Sequence, residues 1–210
     1  MMKGTEYADE ALMAIESIYQ KMKQPDKYLE YVESNRLAAD KSASEKEKMY
    51  FNTAEQVFLS GYYQQVPASA AKYFQYYPEG QHATQVYYYL AESYKETGDK
   101  EKAVENFAKA SSAGAADNAF AERARLGYAD ASYSLERYKD AYAGYAALLN
   151  SAALDANKAA ARVGMMRSAY KGRDYAAAIE AADLVKSDKP ADALRREADY
   201  VEAKSCMATS

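Results

Sequence analysis

The stretch Tyr87-Tyr88-Tyr89-Leu90-Ala91-Glu92-Ser93-Tyr94-Lys95-Glu96-Thr97-Gly98-Asp99-Lys100-Glu101-Lys102-Ala103-Val104-Glu105-Asn106-Phe107-Ala108-Lys109-Ala110 carries two short helical faces separated by a turn. In its first half Leu90, Ala91 and Tyr94 keep the spacing of one helix face. Gly98-Asp99 then breaks the pattern, a helix-stop glycine followed by a helix-start aspartate. In the second half Ala103, Phe107 and Ala110 follow one another at offsets of four and then three residues, which traces a second face. The unit reads as helix–turn–helix.

Working outward from Ala103, equivalent small or β-branched anchors stand at Val66, Ala141 and Ala178, so the successive spacings are 37, 38 and 37 residues. Three residues before the anchors come Tyr63, Lys100, Tyr138 and Tyr175; four after come Ala70, Phe107, Tyr145 and Ala182; seven after come Tyr73, Ala110, Leu148 and Val185. Twelve before come Ala54, Ala91, Ala129 and Met166, and twelve after come Pro78, Ala115, Ala153 and Pro190 in the connections. Self-similarity at such a period is the signature of a repeat solenoid, in which each helix pair buries its apolar face only against its neighbours. Before the first full copy, Glu6–Lys21 reads as a helix with Thr5 as its N-cap, and 26–33 reads as its partner after the turn Gln24-Pro25-Asp26. Beyond Pro190, 194–207 reads as a first helix without a partner.

The pattern resembles the tetratricopeptide repeat (TPR), with Tyr87, Leu90, Ala91, Tyr94, Ala103, Phe107 and Ala110 filling its large and small slots. Later copies depart from it: Ser132 and Ala169 stand in the first-helix Tyr slot, and Arg125 and Arg162 in the large aromatic slot. The lengthened period and the closing Tyr77-Pro78 look like the repeats of bacterial cell-envelope proteins, such as the lipoprotein of the β-barrel assembly machine and the Tol–Pal coordinator. The resemblance implies an all-α, right-handed superhelical solenoid of about five repeats, at 5–42, 45–79, 82–117, 119–155 and 158–189, with a terminal helix at 191–207, all in one domain over 1–210. It also implies a non-catalytic scaffold for protein–protein contacts, with a setting in the periplasm or cell envelope favoured over the cytoplasm.

Composition agrees with that class. The chain has 210 residues, 49% hydrophobic and 28% charged, with a net charge of −4, which gives no basic excess for nucleic acid. One cysteine and one histidine leave no cysteine-rich zinc site and little for acid–base chemistry. No glycine-rich phosphate loop occurs, no cofactor is expected, and no apolar run approaches the ~20 residues of a membrane span. His82 is expected in a solvated loop, Cys206 as a packing residue or exposed thiol, and Glu45, Glu47, Asp9 and Glu10 on solvated helix faces and helix starts. Leu12, Ile15 and Ile18 make the first helix rather apolar for a capping repeat, so the chain is expected to be a segment of a longer array.

Tyrosine, at 22 residues, is the unusual element. Tyr63, Tyr87, Tyr94, Tyr138, Tyr145 and Tyr175 fall in core slots of the repeat. Tyr88, Tyr133 and Tyr170, with Phe51 and Phe58 in the earlier copy, should instead project from first helices toward the concave side. There they serve either as aromatic binding anchors or as packing between successive first helices. Eleven residues before the anchors runs a second concave row, Glu55, Glu92, Asp130 and then Arg167. The chaperone-binding class of these repeats holds a partner's terminal carboxylate with lysines and asparagines; only Lys48, Lys95 and Arg123 are candidates, and the acids would repel it. The expected partner-binding set is Phe51, Glu55, Phe58, Tyr88, Glu92, Lys95, Arg123, Asp130, Tyr133, Arg167 and Tyr170. The expected partner is a protein segment with apolar and basic residues, with no nucleic acid and no membrane insertion. A glycan-handling accessory module, through sugar stacking on exposed aromatics, and a structural spacer in a longer array are the alternatives.

Overall fold

The structure is a computed structural model that describes residues 3–22, 24–39, 41–112 and 119–209. Among them eleven α-helices and no strands occur: α1 (Lys3–Lys21), α2 (Pro25–Ser34), α3 (Ala43–Leu59), α4 (Val66–Tyr76), α5 (Ala83–Glu96), α6 (Lys100–Ser112), α7 (Ala119–Ser134), α8 (Tyr138–Ser151), α9 (Asp155–Lys171), α10 (Tyr175–Ser187) and α11 (Asp192–Thr209). None of the described helices is long and apolar enough to cross a membrane. The chain divides into two compact units, 1–97 and 98–210.

In the first unit each helix packs on the next, and α3 also packs on α5. In the second, α6 through α11 pack in succession, and α7, α9 and α11 also touch one another in order. The anchors explain this arrangement: Val66, Ala103, Ala141 and Ala178 are all 0% exposed, as are Ala54, Ala91, Ala129 and Met166 twelve residues earlier. The alanines at those points let helix axes approach, and Met166, Tyr73, Phe107 and Leu148 fill the space between. Ala115, the second of the connection residues, lies outside the described residues.

Two repeat positions match each other in size. A Cβ built on Gly164 of α9 would lie 2.5 Å from three carbons of the Tyr145 ring, and one on Gly127 of α7 would lie 2.5 Å from Phe107. A large second-helix residue thus requires a glycine on the following first helix. At the same repeat positions in the flanking copies the sizes reverse, with Ala70 before Tyr89 and Ala182 before Val201.

The turns also repeat. Gly61 and Gly98 adopt φ of +74° and +88°, and Glu136 and Arg173, displaced by 38 and then 37 residues, hold φ of +59° and +61° in the corresponding turns. Helix starts differ more. Ser42 and Glu45 form a reciprocal capping box at α3, and Asp174 accepts from the Ala177 N–H at α10. Two expected boundaries are corrected. α1 begins at Lys3, so Thr5 lies inside the helix and is not its N-cap. Pro25 is the first residue of α2 and not part of a turn, a position where its missing N–H costs nothing.

The tyrosine assignment is corrected too. Of the six tyrosines assigned to core slots only Tyr145 is buried, while Tyr63, Tyr87, Tyr94, Tyr138 and Tyr175 are half-buried. The other buried tyrosines are Tyr28, Tyr73 and Tyr89. A phenol fills a junction with its ring and keeps its hydroxyl near water or a carboxylate, so half-burial is its easier solution.

Candidate functional site

In the first unit α3 and α5 bring together three of the residues expected to bind a partner. Tyr89 stacks on Phe58 at 4.6 Å and lies 6.4 Å from Phe51, and its hydroxyl donates to Glu55 Oε1 at 2.7 Å. Phe51 is buried and also stacks on the His82 ring at 4.0 Å. Phe51, Glu55 and Phe58 therefore pack between successive first helices around Tyr89, which the sequence pattern does not single out. Tyr88 is half-buried and meets Tyr89 edge-on at 6.1 Å. Glu92 pairs with Lys95 one turn along α5.

Two side chains here overturn their expected settings. Glu47 is buried, not on a solvated face: its Oε1 accepts from the Tyr73 hydroxyl at 2.7 Å and from the His82 N–H at 3.2 Å. His82 is half-buried at the start of α5, not free in a loop, because its ring covers Phe51. Gly80 makes room for this arrangement, since a Cβ there would overlap the Tyr73 hydroxyl and the Glu47 carboxylate. In the second unit Glu122 of α7 does related work, accepting from the Ala153 N–H at 3.1 Å and from Asn157 Nδ2 at 2.6 Å at the start of α9. The Asn157 hydrogen bond, ahead of those from the loop N–H groups, holds the Glu122 carboxyl below the usual carboxylate range. Glu47 and Glu122 both stand nineteen residues before their anchors, Val66 and Ala141. That shared repeat position is the signal by which the sequence could have revealed them.

The second unit holds a groove of about 610 Å³ between α7 and α9. Leu126, Asp130 and Tyr133 come from α7, Val163, Gly164 and Arg167 from α9, and Tyr145 of α8 lies between. Glycine at 164 is what admits the Tyr145 ring to this position. The Tyr145 hydroxyl donates to Asp130 Oδ1 at 2.5 Å. Burial first, and then that bond, push the phenol above its ordinary range, so it stays a donor. Arg167 forks onto Glu197 of α11 through Nε at 2.6 Å and Nη2 at 2.7 Å. The pair reinforces itself, raising the guanidinium and lowering the Glu197 carboxyl. The groove thus brings together Asp130, Tyr133 and Arg167 of the expected set. Tyr170 lies farther along α9, 6.4 Å from Tyr175 and 6.3 Å from Tyr200. Arg123 is exposed on α7, over the Phe120 ring at 5.7 Å. Among the described residues no group of three His, Cys, Asp or Glu side chains is placed to hold a metal, and Cys206 is exposed.

No protein-family model matches the chain. No curated protein matches it either. Solved structures do. A putative kinesin light chain from Podosopora anserina with nearly identical TPR-like repeats aligns at a TM-score of 0.53 and 13% identity, covering 85% of this chain and 93% of that one. A single-substitution variant of the same protein aligns at 0.53 and 13%, covering 85% and 92%. The TPR2AB domain of yeast Sti1, in a complex named with pHSP90, aligns at 0.37 and 16%, covering 96% and 99%. The chain has the fold of TPR-like helical repeats.

Proposed function

We propose that this chain is a non-catalytic protein-interaction scaffold that holds a partner segment in the groove between α7 and α9. The observation that carries this reading is the groove itself, in which apolar Leu126 and Val163 sit beside polar groups already fixed by partners. Asp130 is held by Tyr145, and Arg167 by Glu197. Groups ordered in advance reduce the entropy lost on binding, which favours recognition of an extended or helical segment. Asp130 and Glu197 bring two carboxylates to the one guanidinium of Arg167 in this neighbourhood, so the fitting segment carries an apolar anchor with Lys or Arg beside it. Acidic C-terminal peptides are disfavoured by the same charge.

The repeat bounds 5–42, 45–79, 82–117, 119–155 and 158–189, with the terminal helix 191–207, are our working division, and the 37–38-residue period with Tyr77-Pro78 favours the cell-envelope branch of such repeats. The test is selection of peptides from a display library on the full chain, with affinities then measured for Tyr133→Ala. Loss of an aromatic anchor buried on binding weakens a selected peptide at least about tenfold. Peptides that bind Tyr133→Ala and the parent chain equally would overturn the groove as the site.

A further inference from the structure

We infer that the open pocket bordered by α2, α3 and the end of α4 is a binding site for a compact aromatic or branched-aliphatic carboxylic acid. It lies in the first unit, has a volume of about 290 Å³, and no part of the scaffold reading requires it. Its apolar wall is Leu29, Val32 and Met49, of which the first two are buried. Its aromatic wall is three mutually inclined tyrosines, with Tyr50 at 5.1 Å from Tyr76 and 5.7 Å from Tyr77. A dry cavity of about 150 Å³ accepts a benzene ring, so this volume suits a ring bearing a short polar arm, and not a helix.

The charged groups around it select the arm. Glu33, Arg36 and Lys46 line the pocket. The Tyr50 hydroxyl donates to Glu33, and burial followed by that bond pushes the phenol above its ordinary range, so it stays a donor. The carboxylate is thereby engaged. Lys46 reaches only the Ala39 carbonyl, at 3.3 Å, and Arg36 makes no side-chain hydrogen bond or ion pair among the described residues. Two cations against one engaged anion leave an excess positive charge beside an apolar wall. Tyrosine walls alone would attract an ammonium group, but Arg36 and Lys46 repel it. A carboxylate meets Arg36 through a fork of N–H donors while its ring occupies the apolar end.

The experiment titrates the full chain with phenylpropionate, with phenylpropanamide of the same shape, and with phenethylammonium, following binding by NMR. The acid is expected to bind about tenfold or more tightly than either analogue, the worth of one charge-assisted contact. Arg36→Asn removes the cation yet suits this residue's φ of +53°, which asparagine tolerates, so the fold should persist. It should lower acid affinity to that of the amide. Ala38→Leu, which fills the pocket, should abolish binding of all three. Equal affinities for acid and amide, acid binding untouched by Arg36→Asn, no binding up to about 5 mM, or acid binding that survives Ala38→Leu in a folded chain would each overturn the assignment.

Discussion

Glu122 reaches from α7 across a repeat junction to Asn157 in the first turn of α9, with its Oε1 2.6 Å from Asn157 Nδ2. The carboxylate also takes the Ala153 N–H, so one side chain fixes both the connection and the start of the next first helix. The folded value lies below the ordinary 4.5, so the stabilisation is full above that value and is lost as pH falls through the folded one. Glu122→Gln should cost about 1 kcal/mol near neutrality, a typical cap loss. Urea midpoints of the two chains should differ at about pH 7 and converge near pH 3. A difference that does not change with pH would show that charge plays no part.

Gly164 and Tyr145 make a second junction testable. Gly164→Ala adds helix propensity worth up to ~1 kcal/mol, but drives a methyl into the ring, and overpacking of this kind costs about 1–3 kcal/mol. Net destabilisation is expected in thermal unfolding followed by circular dichroism. Shrinking the ring in the double variant Gly164→Ala with Tyr145→Leu should recover part of the loss. Additive losses would mean the two positions are not coupled.

The left-handed turn residues predict a gain. Glu136 and Arg173 occupy φ values that glycine holds at Gly61 and Gly98. Glu136→Gly and Arg173→Gly relieve a steric cost of about 1–2 kcal/mol each, offset in part by the freer unfolded chain. Each should raise the melting temperature by about 1–2 °C, roughly as 0.5 kcal/mol would in a domain of this size. A lowered melting temperature would show that those side chains contribute contacts outweighing the strain.

Asp130 separates charge from packing in the groove. Asp130→Asn keeps an acceptor for the Tyr145 hydroxyl and should leave stability near the parent value while reducing the salt-sensitive on-rate of a basic peptide. Asp130→Lys strands that hydroxyl and should cost about 1–3 kcal/mol. Equal thermal stability of the Lys variant and the parent would mean the hydrogen bond contributes nothing.

The repeat itself was legible because helix packing depends on side-chain size at fixed spacing, and Val66, Ala103, Ala141 and Ala178 repeat that size. Every one of them is fully buried. Of the row Glu55, Glu92, Asp130 and Arg167 only the last two line one groove, and they meet Tyr145 and Glu197 through contacts that no local spacing encodes. Glu47 escaped because a carboxylate among lysines looks solvated until the loop bearing Gly80 and His82 folds over it. Tyr89 escaped for a related reason: in a run of three tyrosines, one residue of register decides which ring is buried.

The matched sizes at the junctions also limit how the gene could change by unequal recombination. Loss of the copy 82–117 would set Ala70 before Gly127 and open a hole, whereas loss of 158–189 would drive Tyr145 against Val201. Loss of 119–155 sets Phe107 before Gly164, a large residue before a glycine, as at both junctions it replaces. That copy alone among the three could be deleted or duplicated without a compensating substitution at the seam, and length variants of the array should differ there first.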